Sequence, residues 1–204
     1  MPRLLLVRHG KTELNSSEGY WGNTDVELSA EGLWQAGRLR DRLAKENIRS
    51  IYSSDLNRAL VTAKTIATLH NREVTVCTEL REIDFGRLEG LTFSQVDEHY
   101  PEIAQLWLEQ SLKLAFPGGE SIGQFEERIT SFRRRLQKHS GEESIVVVAH
   151  SGVLRTLVCQ LLGFEPRRGW QIRLDPASLT VVETYPQGGI LTLLNDVSHL
   201  VGGG

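Results

Sequence analysis

The chain alternates between short unbroken apolar runs and longer stretches in which apolar residues recur every three or four positions. Leu4-Leu5-Leu6-Val7 and Ile145-Val146-Val147-Val148-Ala149 are continuous, the pattern of strands covered on both faces in the middle of a parallel sheet. Residues 29–46 instead place Leu33, Ala36, Leu39 and Leu43 on one face behind Ser29 as N-cap, with Glu31 and Gln35 in the first turns, and this predicts a helix. The apolar stretch 48–53 leads into a second helical pattern over about 55–69, and Thr75-Val76-Cys77 reads as a third short strand. From Phe85 to Gly119 that rhythm is lost. A glycine-bounded loop, short helices over about 93–100 and 102–112, and the break at Pro117-Gly118-Gly119 read as an insertion covering one end of the sheet. A helix over about 121–139 follows, with Ile122, Phe125, Ile129, Phe132 and Leu136 at helical spacing and Arg133, Arg134 and Arg135 on its solvated edge. After the strand at Val146 come a helix over about 152–162 and two strand-like runs, 179–184 and 190–194, about a turn at 186–189. The expectation is an α/β fold on a mostly parallel sheet, with residues 1–204 as one domain and a small, mainly helical cap insertion at about 85–119.

Composition narrows the function more than the fold. The 204 residues, 40% hydrophobic, suffice for one full core. A formal net charge of −3 gives no bulk attraction to nucleic acid or anionic lipid, so affinity for phosphate has to come from a local cluster of Arg and His. The apolar start at Leu4 to Val7 is shorter than a signal-peptide core, and no run approaches the roughly 20 apolar residues of a membrane span. A soluble, cytoplasmic protein with neither nucleic-acid nor membrane partner is expected, with a homodimer carried as an open expectation. Cys77 and Cys159 lie far apart in apolar surroundings and read as buried thiols rather than a disulfide. Gly202-Gly203-Gly204 reads as a loose tail.

The two strongest strand candidates end alike, in Arg8-His9-Gly10 and in His150-Ser151-Gly152. Ligands of open α/β sheets bind at the carboxyl ends of strands, near a switch point of the strand order, so both histidines fall where a site belongs. The strand at 48–53 runs into Ser54-Asp55-Leu56-Asn57-Arg58, which puts a second arginine at the opening of a helix on the same rim. A guanidinium fork matches a phosphoryl group bidentately and a helix N-terminus adds amide donors, so Arg8 and Arg58 form a phosphate clamp. The competing reading of Arg58 is a surface bridge to Asp55 or Glu82. Thr12 and Asn15, on the loop after His9, are candidate uncharged donors.

These segments carry a resemblance. The run from Leu6 to Asn15 is similar to the signature of the histidine phosphatase superfamily, the phosphoglycerate-mutase-like group. The similarity continues in order through Asp25 to Gly32, Ser53 to Ala59, Leu80 to Gly86, Pro117 to Ser121 and His150-Ser151-Gly152. It implies a three-layer αβα sandwich with His9 as nucleophile, Arg8, Arg58 and His150 completing the phosphate pocket, and Glu82 as general acid. The implied chemistry is self-consistent. A neutral imidazole is a competent nucleophile, two guanidinium groups neutralise phosphoryl oxygens and disfavour a proton on the attacking ring, and a leaving alkoxide needs the proton that Glu82 would supply. Water would then attack the phosphohistidine with Glu82 as base. Ser151 departs from the Gly or Asn found in many members, and is read as a further donor near the phosphate. Trp21 and its neighbour Gly22, on the loop between His9 and Asp25, complete the candidate substrate contacts.

Alternatives follow from the same residues. The short stretch between Phe85 and Gly119 favours phosphatase over the cofactor-dependent mutases, which resemble this chain but carry longer insertions. The segment from Leu80 to Gln95 and His99-Tyr100-Pro101-Glu102 resembles the α-ribazole phosphatase branch, making α-ribazole 5′-phosphate the substrate expected within a broad class of small phosphomonoesters. A fold retained for phosphate binding without turnover is the reading from a different class. His9, His150, Glu82 and Asp25 show no His-x-His, His-Glu-x-x-His or Asp-x-Asp spacing, so no metal and no cofactor is expected. His70, His99, His139 and His199 are assigned to structure or surface, and Trp34, Trp107 and Trp170 to packing.

Overall fold

The computed structural model describes residues 2–16, 18–139, 141 and 143–201; the closing glycines lie outside them. Strands β1 (Arg3–Arg8), β2 (Ile48–Ser53), β3 (Val74–Val76), β4 (Ser144–Ala149), β5 (Leu179–Tyr185) and β6 (Gly188–Asp196) form one sheet ordered β3-β2-β4-β1-β5-β6. The pairs β2·β3, β2·β4 and β1·β4 are parallel, whereas β1·β5 and β5·β6 are antiparallel. Successive side chains on a strand point to opposite faces, and each face here has its own cover. Leu4, Leu6, Ile145 and Val147 enter one core cluster, and Leu5, Val7, Val146 and Val148 enter the other. That double burial is why the two central strands read as unbroken apolar runs, and it makes the molecule a three-layer α/β sandwich.

Helices α1 (Ala30–Leu43) and α2 (Asn57–Ala67) cover the face of Leu5 and Val7. Ser29 caps α1 by accepting from the Gly32 amide, as its position ahead of the helix predicts. The buried stripe of α1 is Gly32, Gln35, Ala36, Leu39 and Leu43, while Leu33 is 53% exposed. The inward stripe therefore starts at Gly32, and Leu33, one residue on and about 100° further round the helix, corrects the expected face.

On the opposite face lie α5 (Ile122–Leu136) and α6 (Ser151–Leu162). A capping box of Ser121 and Gln124 starts α5, and Gly163 ends α6 in the left-handed conformation at φ 73° that favours glycine. Phe125, Ile129, Phe132 and Leu136 are buried as expected. The arginine run is less solvated than predicted: Arg133 donates to the Gln160 carbonyl and Arg135 pairs with Glu79, leaving Arg134 as the exposed member.

The stretch from Phe85 to Gly119 contains α3 (Phe93–His99), capped by Thr92 and Gln95, and α4 (Pro101–Leu108). Its Leu88, Val96, Ala104, Leu114 and Phe116 belong to the same core cluster as Leu4 and Leu6, so it packs on the sheet's own core. Trp107 sits in an aromatic cluster with Tyr20, Phe85 and Phe116 at centroid distances of 4.5, 5.6 and 5.1 Å. Trp34 and Trp170, expected to pack, are instead 43% and 63% exposed, Trp34 because it lies outside the buried stripe of α1. Cys77 and Cys159 are free and buried. Among the described residues no helix is long and apolar enough to cross a membrane.

The topology fixes where a site can form. Neighbouring strands β1 and β4 lead to α1 on one face and α6 on the other. Their carboxyl ends therefore open onto the crevice of a topological switch point, the usual place for a ligand in an α/β sheet.

Candidate active site

His9 and His150 are the first residues beyond β1 and β4, whose register sets Arg8 opposite Ala149. The His9 amide donates to the Ala149 carbonyl at 3.0 Å, and the two imidazole centroids lie 5.0 Å apart. His9 is buried, with Nδ1 2.7 Å from its neighbour's carbonyl at Gly10. A carbonyl can only accept, so Nδ1 carries the hydrogen and the lone pair is left on Nε2. Burial, and then the charges of Arg8 and Arg58, hold the His9 pKa well below the usual imidazole range. A neutral ring with a free Nε2 is the form a nucleophile needs.

His150 is buried equally deeply and is likewise held well below its usual pKa, by burial and then by Arg58, His9 and Arg8. Its Nδ1 accepts from Arg58 Nε at 3.2 Å. The hydrogen is therefore on Nε2, a buried donor without a partner among the described residues. The two rings thus have opposite tautomers and opposite roles: one offers a lone pair, the other an N–H.

Arg58, in the first turn of α2, is buried, and donates through Nη1 to the Thr24 carbonyl at 2.8 Å and through Nη2 to the Gly22 carbonyl at 2.7 Å. It does not form the surface bridge that was the competing reading, since Asp55 is taken by Arg81. Arg8 donates from Nη1 to the Leu174 carbonyl at 2.6 Å, and its Nε is buried without a partner. Burial lowers both arginine pKa values, but from so high a start that both stay charged. The site therefore holds two cations whose forks are fixed by backbone carbonyls, with N–H hydrogens left over for an anion.

Glu82 lies on the segment after the 3₁₀ turn Thr78–Leu80 and is buried. Its Oε2 accepts from the Gly152 amide at 3.0 Å and its Oε1 from the Ile83 amide at 3.1 Å. Gly152 is in the first turn of α6, so the carboxyl group rests on a helix N-terminus that His150 opens. Glycine leaves room for it: a Cβ at residue 152 would stand 2.5 Å from Glu82 Oε1 and push the carboxyl group aside.

The remaining candidates occupy the surrounding loops. The Thr12 amide donates to Asn15 Oδ1, so Asn15 closes its own turn while Thr12 is buried. Gly22 is spent on the protein, its amide donating to Glu89 and its carbonyl accepting from Arg58. Trp21 rests with its ring edge over Gly90, and Ser151, half-buried, opens α6.

Two supporting residues left no trace in the sequence reading. Glu89 accepts from the amides of Gly22 and Asn23 and from the Thr24 hydroxyl, fixing the loop whose carbonyls hold Arg58. Arg128 of α5 pairs with Glu120 and donates to the carbonyls of Glu79, Arg81 and Glu82, bracing the segment that carries the acid. Neither was singled out as a site residue, because most of their partners are backbone groups distant in sequence. Among the described residues no three His, Cys, Asp or Glu side chains are grouped so as to hold a metal ion.

Comparison with known proteins agrees with this geometry. The family model described as histidine phosphatase superfamily (branch 1) matches residues 4–197. Phosphoserine phosphatase 1 of Hydrogenobacter thermophilus is 36% identical, over 98% of this chain and 95% of that one. The metal-independent phosphoserine phosphatase of Arabidopsis thaliana is 35% identical, over 97% and 82%. The crystal structure of the α-ribazole phosphatase from Shigella flexneri superposes with a TM-score of 0.86 at 29% identity, covering 95% of this chain and 96% of that one. With its two strand-end histidines, its paired arginines and a family match across nearly its full length, the chain belongs to the histidine phosphatase superfamily and is a phosphatase.

Proposed function

We propose that the chain hydrolyses small phosphomonoesters without a metal ion, through a phosphohistidine on His9. His9 Nε2 attacks phosphorus and the bond to the ester oxygen breaks, with the Glu82 proton passing to the leaving oxygen. Water then attacks the phosphorus, Glu82 takes its proton, and the phosphorus–nitrogen bond breaks to release phosphate. Arg8, Arg58 and the Nε2–H of His150 balance the charge on the phosphoryl oxygens. The observation that carries this reading is the pair of tautomers: Gly10 ties down Nδ1 of His9 and leaves Nε2 free, while Arg58 does the reverse at His150.

Phosphoserine is the substrate proposed first, since two relatives of that name match at 35–36% identity over nearly the whole chain. α-Ribazole 5′-phosphate is the second reading, supported by the fold match at a TM-score of 0.86. The test is hydrolysis of p-nitrophenyl phosphate, phosphoserine and α-ribazole 5′-phosphate by the wild type and by His9→Ala. Activity should vanish in the variant, survive EDTA in the wild type, and pass through an acid-labile phosphoenzyme. Trapping a phosphoserine or phosphoaspartate residue in the enzyme would refute the mechanism.

A further inference from the structure

The phosphate pocket and the acid account for two of three arginines whose charges meet at Glu82. The third is Arg155, four residues beyond Ser151 on α6. Residues four apart share a helix face, and helical side chains lean toward the N-terminus. Arg155 therefore shares a face of α6 with Ser151, and its charge is felt by both Glu82 and Arg8. The 3₁₀ turn Pro166–Gln171 packs against its stem, a Cβ at Gly169 falling 3.2 Å from Arg155 Cβ.

Arg155 is half-buried and its Nε is wholly buried without a hydrogen-bond partner among the described residues. Burial lowers its pKa and the charge of Glu82 opposes that shift, yet the two do not come within ion-pair distance. The neighbouring guanidinium groups each hold at least one protein partner: Arg8 donates to Leu174, Arg58 to Gly22, Thr24 and His150, and Arg128 to Glu120 and three carbonyls. Arg155, by contrast, makes no hydrogen bond or ion pair with a described residue. A partly desolvated cation left in this state is unfavourable until an anion arrives.

The charge of the phosphoryl group is already met by Arg8 and Arg58. An anion for Arg155 must therefore belong to the leaving half of the substrate, which departs on the Glu82 side. We infer that Arg155 is a specificity-determining residue that binds a carboxylate carried by the leaving alcohol, so that carboxylated phosphomonoesters are preferred over neutral or cationic ones. The guanidinium fork matches a carboxylate in two parallel hydrogen bonds. This inference rests on the phosphatase mechanism above, in which Glu82 marks the leaving-group side.

The experiment compares phosphoserine with phosphoethanolamine, which has the same skeleton without the carboxylate, and with p-nitrophenyl phosphate. The wild type should prefer phosphoserine. Arg155→Met should lower kcat/KM for phosphoserine about 10- to 150-fold, the worth of a charged hydrogen-bonded contact, chiefly through KM. Its activity on the other two should change by less than about twofold, well below the worth of any such contact. Arg155→Lys should restore part of the preference, since it keeps the charge but not the fork. Equal losses on all three substrates would show that Arg155 acts through Glu82 or through folding, and an absent wild-type preference or an unaffected phosphoserine rate would also overturn the inference. Failure of the phosphatase mechanism looks different: p-nitrophenyl phosphate turnover would be absent, or would survive His9→Ala.

Discussion

Gly152→Ala isolates the general acid without touching it. The added Cβ would lie 2.5 Å from Glu82 Oε1 and 3.3 Å from its Cδ, about 1 Å short of ordinary non-bonded contact. The atom in the way is the tip of a side chain, so the fold can yield: the carboxyl group swings aside and its bond from the Gly152 amide, 3.0 Å long, is lost. Alanine gains up to about 1 kcal/mol over glycine in a helix interior and less at its first turn, which does not offset a lost bond to a carboxyl group worth about 1.5–3 kcal/mol, so the melting temperature should fall by a few degrees. The larger cost falls on catalysis. A misplacement of about 1 Å in a reacting group is worth about 100-fold in rate, or ~2.7 kcal/mol in the barrier. An alkyl phosphate needs the proton that Glu82 delivers, whereas nitrophenolate leaves without one. Stopped-flow assays should therefore show kcat for phosphoserine down about 100-fold with no burst. With p-nitrophenyl phosphate the first turnover should stay fast and release a burst of nitrophenolate equal to the enzyme concentration, because the displaced Glu82 is still needed to activate water in the second step. Equal slowing of both first turnovers, or no slowing of either, would refute the assignment of Glu82 as proton donor.

Protonation should couple to stability through the buried imidazoles. His9 and His150 are both held well below the usual pKa, so below about pH 6.5 the unfolded chain binds two protons that the folded chain refuses. Their contribution is complete above that pH and is lost as pH falls, with a slope approaching ~2.7 kcal/mol per pH unit for two protons. Urea unfolding between pH 7 and 5 should show this slope, and a His9→Gln/His150→Gln double variant should lose it; an unchanged slope would exclude these two residues as its source. Arg128→Met strips the donors from three carbonyls and leaves Glu120 unpaired, a loss of about 2–4 kcal/mol. Thermal melts should register it as a clear drop, and an undisturbed melting temperature would mean that the brace on the Glu82 segment is energetically idle.

The parts of this molecule that were legible in advance share a physical cause. β1 and β4 are covered on both faces, so every residue between Leu4 and Val7 and between Ile145 and Ala149 had to be apolar. The helices announced themselves by spacing and by their caps at Ser29 and Ser121. Once the strands were placed, Arg8, His9 and His150 stood at their carboxyl ends and Arg58 at a helix opening on the same rim, and Glu82 followed from the resemblance. Local signals turned Ala36, Leu39 and Leu43 of α1 inward correctly but missed where the stripe starts, and Leu33 came out exposed. They also overestimated the burial of Trp34 and Trp170.

What the amino-acid sequence determined by itself was the order of elements and the identity of the chemical groups, since periodicity and residue type are written along the chain. The tertiary structure decided what each group is able to do. His9 is a nucleophile at Nε2 because a backbone carbonyl holds Nδ1, His150 is a donor because Arg58 comes from another helix to occupy its other nitrogen, and Glu82 is placed by the amide of Gly152. The Gly10 carbonyl is next to His9 in the chain, but Arg58 and His150 are side chains 92 residues apart and the Gly152 amide reaches a side chain 70 residues away. A backbone amide or carbonyl is the same at every position in a sequence, and only folding gives it a direction.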